Sequence, residues 1–170
     1  LVTYFSNLGP AGSVNRTGTG AAAGSLTVLG DANGNTITTT AAAGLTTVSP
    51  VTYTPFTFAP GGNYSQLNLQ AAGGNDFYNL NGAGATGLDN LLTPEVVTDS
   101  AGSDSLFVND STALAGKVIA VTQSTIDGLS ASVAATDVTY SGIENLDVTG
   151  TAGADTLTTS LGGPVASPTN

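Results

Sequence analysis

Apolar residues recur at every second position in short runs of this chain, and clusters of Gly, Asn, Asp and Ala separate one run from the next. A period of two puts the apolar side chains of a run on one face of a pleated strand, whereas a helix needs a period near 3.6. Residues 25–40 (SLTVLGDANGNTITTT) read as two strands across an Asp-Ala-Asn-Gly turn, and residues 67–81 (LNLQAAGGNDFYNLN) repeat the order of strand, turn, acid and strand. Residues 1–8 (LVTYFSNL), the run VVTDSAGSDSLFVND within 91–110, and the segments KVIAVT and LSASV within 117–133 add further strands. In 51–58 (VTYTPFTF) Pro55 cannot donate to a ladder, so this strand belongs at an edge or a bend. Residues 82–90 (GAGATGLDN) read as a loop.

The pattern is fullest in 138–158 (VTYSGIENLDVTGTAGADTLT), and earlier segments look like weaker copies of it. Leu26 with Val28, Leu67 with Leu69, Leu106 with Val108 and Leu146 with Val148 recur at intervals of 41, 39 and 40 residues. Turn motifs at 33–37 (NGNTI), 74–78 (GNDFY), 102–106 (GSDSL) and 153–157 (GADTL) give Asn35, Asp76, Asp104 and Asp155 one shared position in the unit. The triplet VTY recurs at 2–4, 51–53 and 138–140. Units of this kind expose an apolar face that only a neighbouring unit covers, so they stack. The expected fold is therefore all-β, a parallel β-solenoid (β-helix) with apolar ladders inside and Thr and Asn ladders outside. Coils of roughly 20–25 residues would give about seven of them. The alternative is a two-sheet β-sandwich with strand exchange, which accommodates the irregular spacing of the VTY copies. The expected division is an N-terminal strand and Gly/Ala-rich connector (1–24), a β-repeat domain (25–160) and a flexible tail (161–170).

Composition narrows the function. Arg16 and Lys117 are the only basic residues against twelve acidic ones, a formal net charge of −10, so polyanions such as nucleic acid are repelled. No run approaches the ~18 apolar residues of a membrane span, so no membrane insertion is expected. Cys, His, Met and Trp are absent, which removes disulfides, thiolate and imidazole metal ligands and the usual tuned bases. With 8% charged residues, the surface is hydrated by hydroxyls and amides and repels copies of itself weakly. A secreted, extracellular or cell-surface location is the expectation that suits this composition.

Candidate chemistry is sparse. Asp76, Asp104 and Asp155, each in a Gly-rich turn, are candidate ligands for calcium, which takes carboxylate and carbonyl oxygens; the plainer role for each is to accept backbone amides in its turn. Asp99 with Asp104 could form the carboxylate pair of a glycosidase, but no cationic clamp or tuned base accompanies them, and the chain is read as no enzyme. The aromatic residues Tyr53, Phe56, Phe58 and Tyr64 are read as core or sheet surface before a sugar platform. Three Asn-x-Ser/Thr sequences begin at Asn15, Asn63 and Asn109, about as many as this composition produces by chance.

The segment 102–157, with GSDSLFVND, KVIAVTQSTIDGLSASV and VTYSGIENLDVTGTAGADTL, resembles the repeats of large secreted surface proteins of planctomycetes and cyanobacteria. Those repeats are read as parallel β-helical and as loosely related to calcium-binding repeats-in-toxin arrays. The likeness is weaker over 25–81 and absent over 1–24 and 161–170. It implies an extracellular, structural or adhesive role. The expected function is an extracellular structural subunit that assembles with copies of itself into a fibre or surface layer. Val2, Tyr4 and Phe5 at one end, and Leu146, Val148 and Leu157 at the other, are the candidate self-assembly residues. The alternative is a calcium-dependent adhesin or glycan-binding module of a larger secreted protein, with a glycan as partner.

Overall fold

In a computed structural model, which describes residues 3–5, 25–43, 45–50, 55–58, 64–130 and 136–160, alternation decides the strands. Ile37, Thr39 and Ala41 are buried while the residues between them are half-buried, and Leu67 and Leu69 repeat the rule. In chain order the strands are β1 (Thr3–Phe5), β2 (Ser25–Leu29), β3 (Thr36–Ala42), β4 (Leu45–Pro50), β5 (Phe56–Phe58), β6 (Gln66–Gln70) and β7 (Phe77–Gly82). After a 3-10 turn at Gly87–Asn90 come β8 (Glu95–Thr98), β9 (Ser105–Asn109), β10 (Val118–Thr122), β11 (Thr125–Asp127), β12 (Val138–Ser141), β13 (Asn145–Thr149) and β14 (Thr156–Ser160). The all-β class expected from the sequence holds, and no α-helix occurs among the described residues.

Two mixed sheets, with strand orders β1-β2-β6-β8-β12-β11-β10-β14 and β13-β9-β7-β3-β4-β5, enclose one core in a sandwich-like arrangement that does not close into a barrel. Strands β2, β6, β8 and β12 are parallel, as are β3, β7, β9 and β13. Strands β11 and β10 are reached from β12 by two antiparallel steps, so β10 and the parallel β14 beyond it run the same way as β12. In the second sheet β4 and β5 also reverse direction twice, which returns β5 to the direction of β3. Both sheets thus end, on both sides, in strands that point one way.

The parallel register builds inward columns. One column runs Leu26, Leu67, Glu95, Val138 and a second runs Val28, Leu69, Val97, Tyr140. Facing them are Ile37, Tyr78, Leu106, Leu146 and Thr39, Leu80, Val108, Val148. On the outer faces Asn68 donates to the Thr27 hydroxyl (3.2 Å) and Asn79 to the Thr38 hydroxyl (3.4 Å), each from the strand directly beside it. Two expectations change. Equivalent residues in stacked strands are 41, 28 and 40 positions apart, longer than the coil of roughly 20–25 anticipated. The interval of 39 between Leu67 and Leu106 joins different sheets, because Leu67 pairs with Leu26 while Leu106 pairs with Tyr78.

Each chain passage from the first sheet to the second turns a corner. The corners 30–35, 71–76 and 99–104 are all six residues long and stack, whereas 142–144 takes only three. Gly102 has φ +142°, and a Cβ there would lie 1.5 Å from the Gly74 carbonyl oxygen in the corner beside it. This close stacking of turn on turn is what brings acidic side chains together.

Candidate functional site

Where a strand leaves the ladder, its backbone N–H needs an acceptor, and in this corner the acceptor is the acid of the next turn. The Asn35 N–H donates to Asp76 Oδ1 (2.5 Å), the Asp76 N–H to Asp104 Oδ1 (2.8 Å) and the Asp104 N–H to Glu144 Oε2 (2.8 Å). All three acceptors immediately precede a strand, β7, β9 or β13. Glutamate closes the column where the corner is three residues shorter. Asp99 occupies the first position of its corner, where the stacked corners carry Gly30 and Ala71. Its Oδ2 accepts the Tyr78 hydroxyl (2.7 Å) and its Oδ1 the Ser100 N–H (2.7 Å).

The result is a cluster of Asp76, Asp99 and Asp104, each offering a carboxylate oxygen within 4.8 Å of the others and only 1, 7 and 1% exposed. Burial raises the pKa of Asp76, and the Asp99 charge adds to the rise against the hydrogen bonds from Asn35 that oppose it. Burial likewise raises Asp104. The Tyr78 hydroxyl is held protonated by burial first and by its bond to Asp99 second. The cluster is sealed from anything the size of a sugar. Chemically it can hold protons or a hard cation.

Asp155, expected to share a position with Asp76 and Asp104, stands apart. It is exposed at the start of β14, where it accepts the Lys117 N–H (2.8 Å) and both the N–H and hydroxyl of Thr151 (2.7 Å each). These bonds, that of the Thr151 side chain foremost, lower its pKa. The member that continues the column is Glu144, and the third carboxylate of the cluster is Asp99. Six-residue corners of equal length, each ending in Asn or Asp before a strand, were the signal for the column; nothing in the spacing marks Glu144.

The second place of interest is the side on which β13 and β14 are the outermost strands. An apolar groove opens between them, lined by Val121, Tyr140, Ile143, Leu146, Val148 and Leu157, with Glu144 at its rim. Leu146 and Val148 are half-buried and Leu157 is 56% exposed. Three of the candidate self-assembly residues therefore meet in one groove. Of the other three, Val2 lies outside the described residues. Tyr4 and Phe5 belong to β1, the outermost strand at the opposite side of the first sheet.

No family model, curated protein or solved structure matches this chain. No helix among the described residues is long and apolar enough to cross a membrane.

Of the aromatic residues read as core or sheet surface, Tyr64 is buried in the core, while Tyr53 and the side chains of Phe56 and Phe58 lie outside the described residues. Phe77 and Phe107, not singled out in the sequence, stack on the outer face of the second sheet at 6.2 Å with an 11° interplanar angle. Lys117 is no surface cation. It pairs with Asp110 (2.6 Å) and Asp89 (3.2 Å) and also donates to the Leu129 carbonyl, tying the 3-10 turn to β9 and β10.

Proposed function

We propose that the two sheets are faces of a parallel β-solenoid and that the protein is an extracellular structural subunit which associates head to tail with copies of itself. The observation that carries this reading is the apolar groove between β13 and β14, at a side where, among the described residues, both strands have a neighbour on one edge only. Open parallel edges recruit further strands. A second copy is the occupant that strand direction favours. Outermost β14 and β13 point the same way as outermost β1 and β5 on the far side, so a simple translation sets β14 against β1 and β13 against β5 in parallel. Such a contact joins two different surfaces and does not close, which gives a filament. A surface of hydroxyls and amides with 8% charged residues supports the extracellular setting.

The net charge of −10 opposes association, so added salt should promote it. Sedimentation and negative-stain microscopy of the full chain, over rising concentration and salt, should show linear oligomers. Replacing Val148 and Leu157 together by Asp should leave a folded monomer, as should deleting residues 1–8. A native chain that stays monomeric under every condition, or a double variant that assembles as the native chain does, overturns the reading.

A further inference from the structure

We propose that Asp76, Asp99 and Asp104 bind one divalent cation of the calcium class at the corner between the two sheets. Their carboxylate oxygens lie within 4.8 Å of one another. Two oxygens on opposite sides of a calcium ion, each at about 2.3–2.6 Å, are separated by about that span, whereas magnesium draws its ligands closer and keeps several waters. Asp76 supplies the observation that points to a ligand. Its Oδ1 is taken by Asn35, while its Oδ2 is buried with no hydrogen-bond partner, and its carboxyl lies against that of Asp99.

Among the described residues no cation balances the three acids. Lys117 is held by Asp110 and Asp89, and it is the only basic residue among those described. Nor does turning the chain require the third acid, because Gly30 and Ala71 fill the place of Asp99 in the neighbouring corners. Unlike Asp76 and Asp104, Asp99 accepts no amide from another corner; its two oxygens take the Tyr78 hydroxyl and the Ser100 N–H, and each keeps a further lone pair that can face a cation. The proposal is independent of the assembly reading, since the cluster lies within one chain.

Tyr78 provides the test. The chain has no Trp, and the Tyr78 hydroxyl bonds to Asp99 at 2.7 Å, so excitation of tyrosine should sensitise terbium placed among the three carboxylates. Full-length protein stripped with a chelator should show saturable emission at one terbium per chain, displaced by calcium, and calcium alone should raise its melting temperature. Asp99→Asn, which keeps the chain's shape and the acceptor for Ser100, should weaken binding by about 10- to 100-fold or more. Tyr78→Phe should remove the emission and keep the calcium-induced rise in melting temperature. The proposal is overturned if the native chain shows neither saturable emission nor a calcium-dependent melting shift and is stabilised by acid alone. Emission that survives Asp99→Asn unchanged overturns it equally.

Discussion

Two buried acidic regions of this protein meet opposite fates. At the corner, Asp76 and Asp104 each receive a backbone N–H from the adjoining turn. In the middle of the first sheet, Glu95 sits in the inward column between Leu67 and Val138, 1% exposed, with no backbone donor and only the Thr39 hydroxyl of the facing sheet, outside good hydrogen-bond geometry, to favour its charge. The difference lies in the backbone. A turn leaves donors outside the ladder that an acid can satisfy, whereas within a strand every N–H is already committed to its neighbour. A carboxylate thus supports the fold where strands begin and opposes it where they run.

Glu95 should give the largest effect. Burial pushes its pKa up to about 8 from the usual 4.5. Because the folded value is the higher one, the unfolded chain loses its proton first, and stability falls as the pH climbs from about 4.5 to about 8, levelling off above that. The penalty at alkaline pH reaches about 5 kcal/mol at 1.36 kcal/mol per unit. Glu95→Leu, which continues the apolar column, should remove this pH dependence. Urea unfolding at pH 5 and pH 9 checks it. A native chain equally stable at both would mean that Glu95 has found a partner and the contrast with the corner is false.

Lys117 tests a third way of burying an acid, by pairing it. The Asp110 side chain has no exposure and that of Lys117 only 9%. Lys117→Met should cost about 3–5 kcal/mol by leaving Asp110 buried and charged without its partner. Adding Asp110→Asn should recover part of the loss, since the amide oxygen can still accept the Leu88 N–H that Asp110 Oδ1 accepts at 2.6 Å. A double-mutant cycle in urea measures the coupling; additive losses would show the pair to be incidental.

Within the corner, Asp76→Ala should cost about 1–3 kcal/mol, because the Asn35 N–H is left buried with no acceptor. Asp76→Asn keeps an acceptor and removes a charge from beside Asp99, so in chelator it should match or exceed the native chain in stability. If Asn proves as harmful as Ala under those conditions, the column depends on charge and not on hydrogen bonding.

How far the sequence carried these features differs between strand and stack. Alternation placed β2, β3, β6, β7, β9 and β12 to β14 close to where they lie, because period-two patterning is a local property of a half-buried strand. It missed β4, where Thr46 and Val48 are buried, expected a strand at 129–133 where β11 instead spans Thr125–Asp127 and residues 129–130 are not strand, and missed the 3-10 turn within the expected loop. The pairing order depends on the length of chain between stacked strands, and with passages of 41, 28 and 40 residues no single period exists to be read. The recurrence of Leu and Val near 40 therefore mixed columns from two sheets. It also carried Asp155 into a column that Glu144 completes. The cluster itself was half legible: Asp76 and Asp104 follow from the turn motif, while Asp99, the first residue of the corner that Asp104 ends, joins them through the fold of the turn and not through the motif.

Asp155 should show the smallest effect and the opposite pH dependence to Glu95. It is exposed, and Thr151 and the Lys117 N–H hold its pKa below the usual carboxylate range. A folded value below the unfolded one stabilises the chain above the unfolded pKa, and that support is lost as the pH falls through the folded value. Asp155→Ala should lower the melting temperature at neutral pH by less than any substitution above, and the difference from the native chain should vanish in strong acid. Thermal scans at pH 7 and pH 2 measure both. If the substitution weakens the protein at neutral pH as much as Asp76→Ala does, then β14 depends on its turn as heavily as the buried corner depends on its column, and exposure is not what separates the two acids.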